Sequence, residues 1–153
     1  MSKFHPSHAR ELPLIVTHQV RDTCLCLHAQ RAARALARRF DEAMRPLALT
    51  SGQFSLLMSL NRPEPPSIGS VAALLAMDRT TLTAALKPLE RRGLLKVAVD
   101  KEDKRSRRLV LTAAGRALLG KAFPLWQRAH AQTERSLASG SADDLRDALR
   151  ALS

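Results

Sequence analysis

SIGSVAALLAMDRTTLTAALKPLERRGLLKVAVDKEDKRSRRLVLTAAG, residues 67–115, decides the reading of this chain. Two short helical patterns are followed by an apolar run, a charged turn (DKEDKRSRR), a second apolar run and Gly115. That order is what a chain needs to lay one helix in a DNA major groove and run a basic hairpin along the backbone beside it. Asp78 stands where a helix N-cap belongs, just ahead of Arg79. Gly93 follows Glu90-Arg91-Arg92, where a left-handed C-cap residue belongs. At about 100° per residue, Leu82, Ala85, Leu86 and Leu89 share one side of the second helix. Arg79, Thr80, Thr83 and Lys87 share a flank away from them. The first set is a core face, and the second is a row of hydrogen-bond donors without an acid. A plain amphipathic helix would also have a core face, so the hairpin is what tips the reading toward DNA.

The hairpin resembles the wing of the MarR family of bacterial transcription regulators. The family's pattern is an acid, one residue, Arg, Ser or Ala, then an apolar strand ending in Leu-Thr and followed by Gly. Here these are Asp103, Arg105, Ser106, Leu109 to Thr112 and Gly115. The resemblance runs from about Asp22 to the end of the chain. It implies a mainly α fold with a small β-hairpin wing, a winged helix-turn-helix with terminal dimerisation helices. One domain over 1–153 is expected, with dimerisation helices at 17–45 and 112–153 and a DNA-binding lobe at 50–111. A short Asp–Arg contact can brace such a two-stranded turn, and a second cation at its tip can reach the DNA. Arg105 inherits the family's reach toward phosphate or the minor groove. The reading helix would use Arg79, Thr80, Thr81, Thr83 and Lys87. Lys101, Lys104, Arg107 and Arg108 are read as backbone contacts, although a charge run is also an ordinary solvated surface.

With 153 residues the chain has material for one core. Its formal net charge of +11, from 25 Lys+Arg against 14 Asp+Glu, suits a polyanion. Aromatics are 3% and Tyr is absent, which disfavours single-strand binding by base stacking. No stretch approaches the roughly 20 apolar residues of a membrane span. The N-terminus lacks a signal-peptide pattern, so a cytoplasmic location is expected. The two cysteines are then not expected to form a structural disulfide.

Outside the lobe, residues 1 to about 16 read as an arm. A helical pattern follows from Thr17 to Met44, with Leu25, Ala29, Ala32, Ala33, Leu36, Phe40 and Met44 recurring at three and four residues, and Pro46 ends it. Thr50 and Gln53 have capping-box spacing ahead of Phe54, as Ser141 and Asp144 do ahead of Leu145. The segment around Pro65-Pro66 is a break that can add one strand pair to the wing. Pro88 and Pro124 lie inside helical patterns and predict kinks. The first helix and the last two carry more apolar stripe than one lobe can cover, which predicts a homodimer.

Cys24 and Cys26 would point about 200° apart on a single helix, whereas Cys24 and His28 would share a face. Small buried hydrophobes are the bland reading of both thiols. Some relatives sense peroxides through a cysteine in this helix, but the tyrosines that hold the reactive sulfur there have no counterpart here. Two ligands are too few for structural zinc, and no metal or cofactor is expected. His5, His8, His18 and His130 lack partners at ligand spacing. By resemblance, a small aromatic or phenolic effector would be lined by His28, Arg31, Phe54, Met58 and Trp126; core packing also accounts for the last three.

The expected function is thus a transcription regulator, a repressor that binds a double-stranded, pseudo-palindromic DNA operator as a homodimer and is released by an effector. Redox sensing through Cys24 or Cys26 and a non-specific architectural role on nucleic acid are the alternatives. No nucleophile elbow, phosphate loop, dinucleotide fingerprint or metal motif points to an enzyme.

Overall fold

A computed structural model describes residues 11–153. The element order is α1 (Leu14–Thr23), α2 (Leu25–Met44), a 3₁₀ turn (Arg45–Leu47), α3 (Ser51–Ser59), α4 (Ile68–Leu74), α5 (Arg79–Arg91), β1 (Leu95–Val99), β2 (Arg107–Leu111), α6 (Ala113–Arg135) and α7 (Ala142–Arg150). The chain divides into two units, residues 1–36 and 37–153. The fold is mainly helical, with one antiparallel hairpin in the register Leu95↔Leu111 to Val99↔Arg107. The strand pair expected from the proline-rich break is present as a single bridge, Ser67↔Arg108.

In the first unit the single helix expected from Thr17 to Met44 is two helices. Cys24 is extended (ψ 108°), and its Sγ accepts the Leu27 N–H at 3.4 Å. A side chain that caps the next helix competes with the continuing backbone ladder, and that competition breaks the helix without Gly or Pro. The arm expected over residues 1–16 is helical from Leu14, and its first ten residues, with His5 and His8, lie outside the described part.

The second unit holds the core. Met44, Leu57, Val71, Leu82, Leu89, Leu95 and Leu109 are fully buried, drawn from α2, α3, α4, α5 and both strands. Each such side chain contributes about 1.5–3 kcal/mol relative to exposure. The expected caps are present. Thr50 and Gln53 form a capping box, as do Ser141 and Asp144, and Thr112 Oγ1 accepts the Gly115 N–H at 3.0 Å. Pro88 and Pro124 lie inside α5 and α6 without ending them.

One joint fixes the wing root. Gly93 has φ +70°, so the chain leaves α5 through a left-handed turn, with Leu94 N–H donating to Leu89 O at 3.0 Å. Thr112 then donates twice to this turn, from its hydroxyl to Gly93 O at 2.6 Å and from its N–H to Leu94 O at 3.1 Å. Gly115 is pressed against the same carbonyl: a Cβ there would lie 2.1 Å from Leu94 O. The glycine after Leu-Thr is therefore demanded by a close backbone approach between α6 and the start of β1.

Candidate nucleic-acid interface

α4 and α5 are joined by a tight turn in which Ala76 is left-handed at φ 50°. Asp78 caps α5, accepting the Thr81 N–H at 2.8 Å and the Thr81 hydroxyl at 2.5 Å. The hydrogen bonds from Thr81 hold the Asp78 carboxyl below the usual aspartate range, so the cap is anionic at neutral pH. Leu82, Leu86 and Leu89 are buried, and Arg79, Thr80, Thr83 and Lys87 are exposed, as the two-faced reading expects. These four differ in freedom. The Thr83 hydroxyl donates back to Arg79 O at 2.7 Å. The Arg79 guanidinium lies across the first turn of α4, 3.2 Å from where a Cβ on Gly69 would sit. The Thr80 hydroxyl and the Lys87 ammonium have no hydrogen-bond partner among the described residues.

The wing is braced by an Asp–Arg pair that lies outside the family's acid-x-Arg motif. Asp103 does not pair with the Arg105 guanidinium; its carboxylate accepts the Arg105 N–H at 2.9 Å. The brace is Asp100, a buried residue after β1, which pairs with Arg108 on the facing strand. Asp100 also accepts the N–H groups of Glu102 at 2.8 Å and Asp103 at 3.2 Å. The Glu102 N–H above all, then the Arg108 and Asp103 bonds, lower its carboxyl to a pKa of about 2. Arg107 folds onto the tip, donating to Lys104 O at 3.0 Å and Ser106 O at 3.2 Å. Lys101, Lys104 and Arg105 are exposed, and their charged groups have no partner among the described residues. Of the tip's three acids only Asp100 is turned inward to hold the loop; Asp103 stays exposed with one oxygen on the Arg105 N–H, and the unpaired cations face outward. The signal missed in the sequence was the spacing of Asp100 and Arg108 across a hairpin.

Three of the expected effector residues lie in the second unit and two in the first. Phe54, Met58 and Trp126 line one apolar groove of about 400 Å³, together with Ser55, Ser59, Leu74, Leu75 and Phe123. Phe54 is buried and Trp126 half-buried, while Met58 and Phe123 are exposed. The Trp126 ring stacks on Phe123 at 5.8 Å and on His130 at 4.6 Å. His28 and Arg31 are exposed on α2 in the other unit. His28 Nε2 lies 3.2 Å from Asp22 O. The cysteines are not the buried pair of the bland reading: Cys24 is half-buried at the break and Cys26 is exposed, its Sγ accepting from Gln30 at 3.2 Å. No group of three metal-ligating residues occurs among the described residues, and no described helix is long and apolar enough to cross a membrane.

A model of the MarR family matches residues 49–106, from the start of α3 through the wing tip. The transcriptional regulator MosR of M. tuberculosis, solved in complex with DNA, is 38% identical, with a TM-score of 0.77 over 84% of this chain and 92% of that one. The regulator TtmR of Methylorubrum extorquens is 35% identical over 100 residues, which is 65% of this chain but only 51% of TtmR's own length. The uncharacterized HTH-type regulator YybA of Bacillus subtilis is 30% identical over 122 residues, 78% of this chain and 77% of YybA. Sequence likeness over most of both chains, a shared winged-helix fold and the wing residues agree: this chain belongs to the MarR family.

Proposed function

We propose that this chain is a transcription regulator that binds double-stranded DNA as a homodimer, acting in the cytoplasm as a repressor on a pseudo-palindromic operator. One observation carries the reading. Beside a capped α5 whose Thr80 and Lys87 face solvent, the wing tip presents Lys101, Lys104 and Arg105 without internal partners, while Asp100 is buried inside the loop and Asp103 is bonded to the Arg105 N–H. A cationic loop next to an exposed helix face suits phosphates flanking a major groove. That MosR, 38% identical, is solved in complex with DNA supports DNA as the partner. Arg79, Thr81 and Thr83 complete the reading face, and Arg107 lies at its edge.

A second copy is supported by exposed apolar residues on and beside the helices of both units: Leu12, Leu14, Ile15, Val20 and Leu25 in one, Leu145, Leu149 and Leu152 in the other. Two-fold pairing gives two reading helices and half-sites about 10 base pairs apart. The groove around Trp126 suits release by a small aromatic or phenolic effector, since it offers apolar walls and stacking rings with the Ser55 and Ser59 side chains among them. Redox control is a second reading, favoured by the exposure of Cys26.

The test is a salt series on a duplex selected by the chain from random DNA, with footprinting and sedimentation. Neutralising about 6–10 phosphates lowers affinity on the order of 10³–10⁵ between about 50 and 200 mM salt. The expected footprint is one discrete site, occupied by a dimer. Affinity indifferent to salt would refute DNA binding, uniform coating would favour the architectural role, and a bound monomer would refute the two-fold arrangement.

A further inference from the structure

The segment 100–108 holds three acids and five bases, and the pairing among them skips the nearest neighbours. The Asp100 carboxylate is held by two N–H groups of the near side of the loop and by the Arg108 guanidinium of the far strand. The Asp100 N–H donates to Ser106 O at 3.1 Å, closing the loop between them. Arg108 reaches further, donating to Pro65 O at 3.3 Å. Beside it, the Leu109 N–H donates to Pro66 O at 2.9 Å, and Ser67, the N-cap of α4, bridges to Arg108. A chain of contacts therefore runs from the wing tip through Asp100 and Arg108 to the first turn of α4.

We propose that Asp100, acting through Arg108, is the positioning residue of the wing, setting the angle at which the tip and Arg105 leave the helix-turn-helix. The proposal rests on the reading of this chain as a duplex-DNA binder. Its signature is a sign. Asp100→Asn removes a negative charge from a cationic hairpin and raises the formal net charge from +11 to +12. Electrostatics alone would tighten binding to phosphate. The asparagine oxygen still accepts from the loop N–H groups, but the charge-assisted bond to Arg108 is lost, the tip is released, and binding weakens.

The experiment uses the whole chain and a fluorescent mixed-sequence duplex of about 30 base pairs at about 50 mM salt, read by anisotropy. Asp100→Asn, Arg105→Ala and the double variant are compared with the parent, and thermal unfolding establishes that each is folded. Arg105→Ala is expected to weaken binding on the order of tenfold. Asp100→Asn is expected to weaken it about threefold or more despite its added positive charge. Because Asp100 acts through Arg105, the double variant is expected to bind no worse than Arg105→Ala alone, a non-additivity that a general loss of stability would not produce. Binding by Asp100→Asn as tight as the parent's, or losses that add, would overturn the brace. If Asp100→Asn fails to fold, Arg108→Lys, which keeps both charges but not the planar fork, carries the same expectations and the same refutation. A parent that binds no duplex at any salt overturns the DNA reading itself, and the brace with it.

Discussion

The same substitution at two places in α6 should move stability in opposite directions. Gly120→Ala adds a methyl group with no atom within 4 Å. Alanine is a better helix interior residue than glycine by about 0.5–1 kcal/mol, so this variant gains that amount. Gly115→Ala gains the same helical preference and meets Leu94 O at 2.1 Å and Leu111 Cδ1 at 2.7 Å. Ordinary contact is more than an ångström longer, so the first turn of α6 must retreat from the hairpin. Overpacking of this kind costs about 1–3 kcal/mol. The retreat also stretches the two Thr112 hydrogen bonds that straddle the contact, at about 0.5–1.5 kcal/mol each. After the helical gain, Gly115→Ala is expected to lose about 1–5 kcal/mol. At about 2–4 °C per kcal/mol, its unfolding midpoint falls by roughly 2–20 °C, and that of Gly120→Ala rises by roughly 1–4 °C. Circular dichroism melts at one fixed protein concentration measure both, because self-association makes the midpoint depend on concentration. A Gly115→Ala midpoint at or above the parent's would refute the account of the joint.

Thr80→Ala should alter the base preference recovered by selection from random DNA, at about 1–3 kcal/mol per lost contact, and more than Thr83→Ala, whose hydroxyl is already committed to Arg79 O; an unchanged motif for Thr80→Ala would remove it from the reading face. The Asp100 carboxyl has its pKa lowered from 3.8 to about 2 in the folded state, so its contribution to stability is fully present above pH 3.8 and is lost as the pH falls toward 2. Asp100→Asn should therefore flatten the acid limb of a stability-against-pH curve in that window, and an acid limb that matches the parent's would deny Asp100 its pairing.

Much of the lobe was legible because its signals are local. A cap residue three positions ahead of a partner amide, as at Asp78, Thr50, Thr112 and Ser141, needs only the neighbouring sequence to be recognised. The break at Cys24 was not legible, because no propensity marks it. It follows from a sulfur accepting one N–H, in a stretch where Leu25 to Met44 read as uninterrupted helix. The members of the wing brace were not legible for another reason. Hairpin register decides which charges meet, and pairing Ala98 with Arg108 brings Asp100 to Arg108. Of the groove residues, Phe54, Met58 and Trp126 were named by resemblance to the family, whereas the share of Leu74 and Leu75 depended on how α4 packs.

The knot of Gly93, Leu94, Thr112 and Gly115 makes a fulcrum. On one side α6 starts at Ala113 and runs on through Pro124 to Arg135. On the other side the five residues of each strand, about 17 Å, carry the hairpin out to Val99 and Arg107, where the tip loop begins. Helix and hairpin therefore hang on one crowded backbone contact, where nothing larger than a hydrogen fits at position 115.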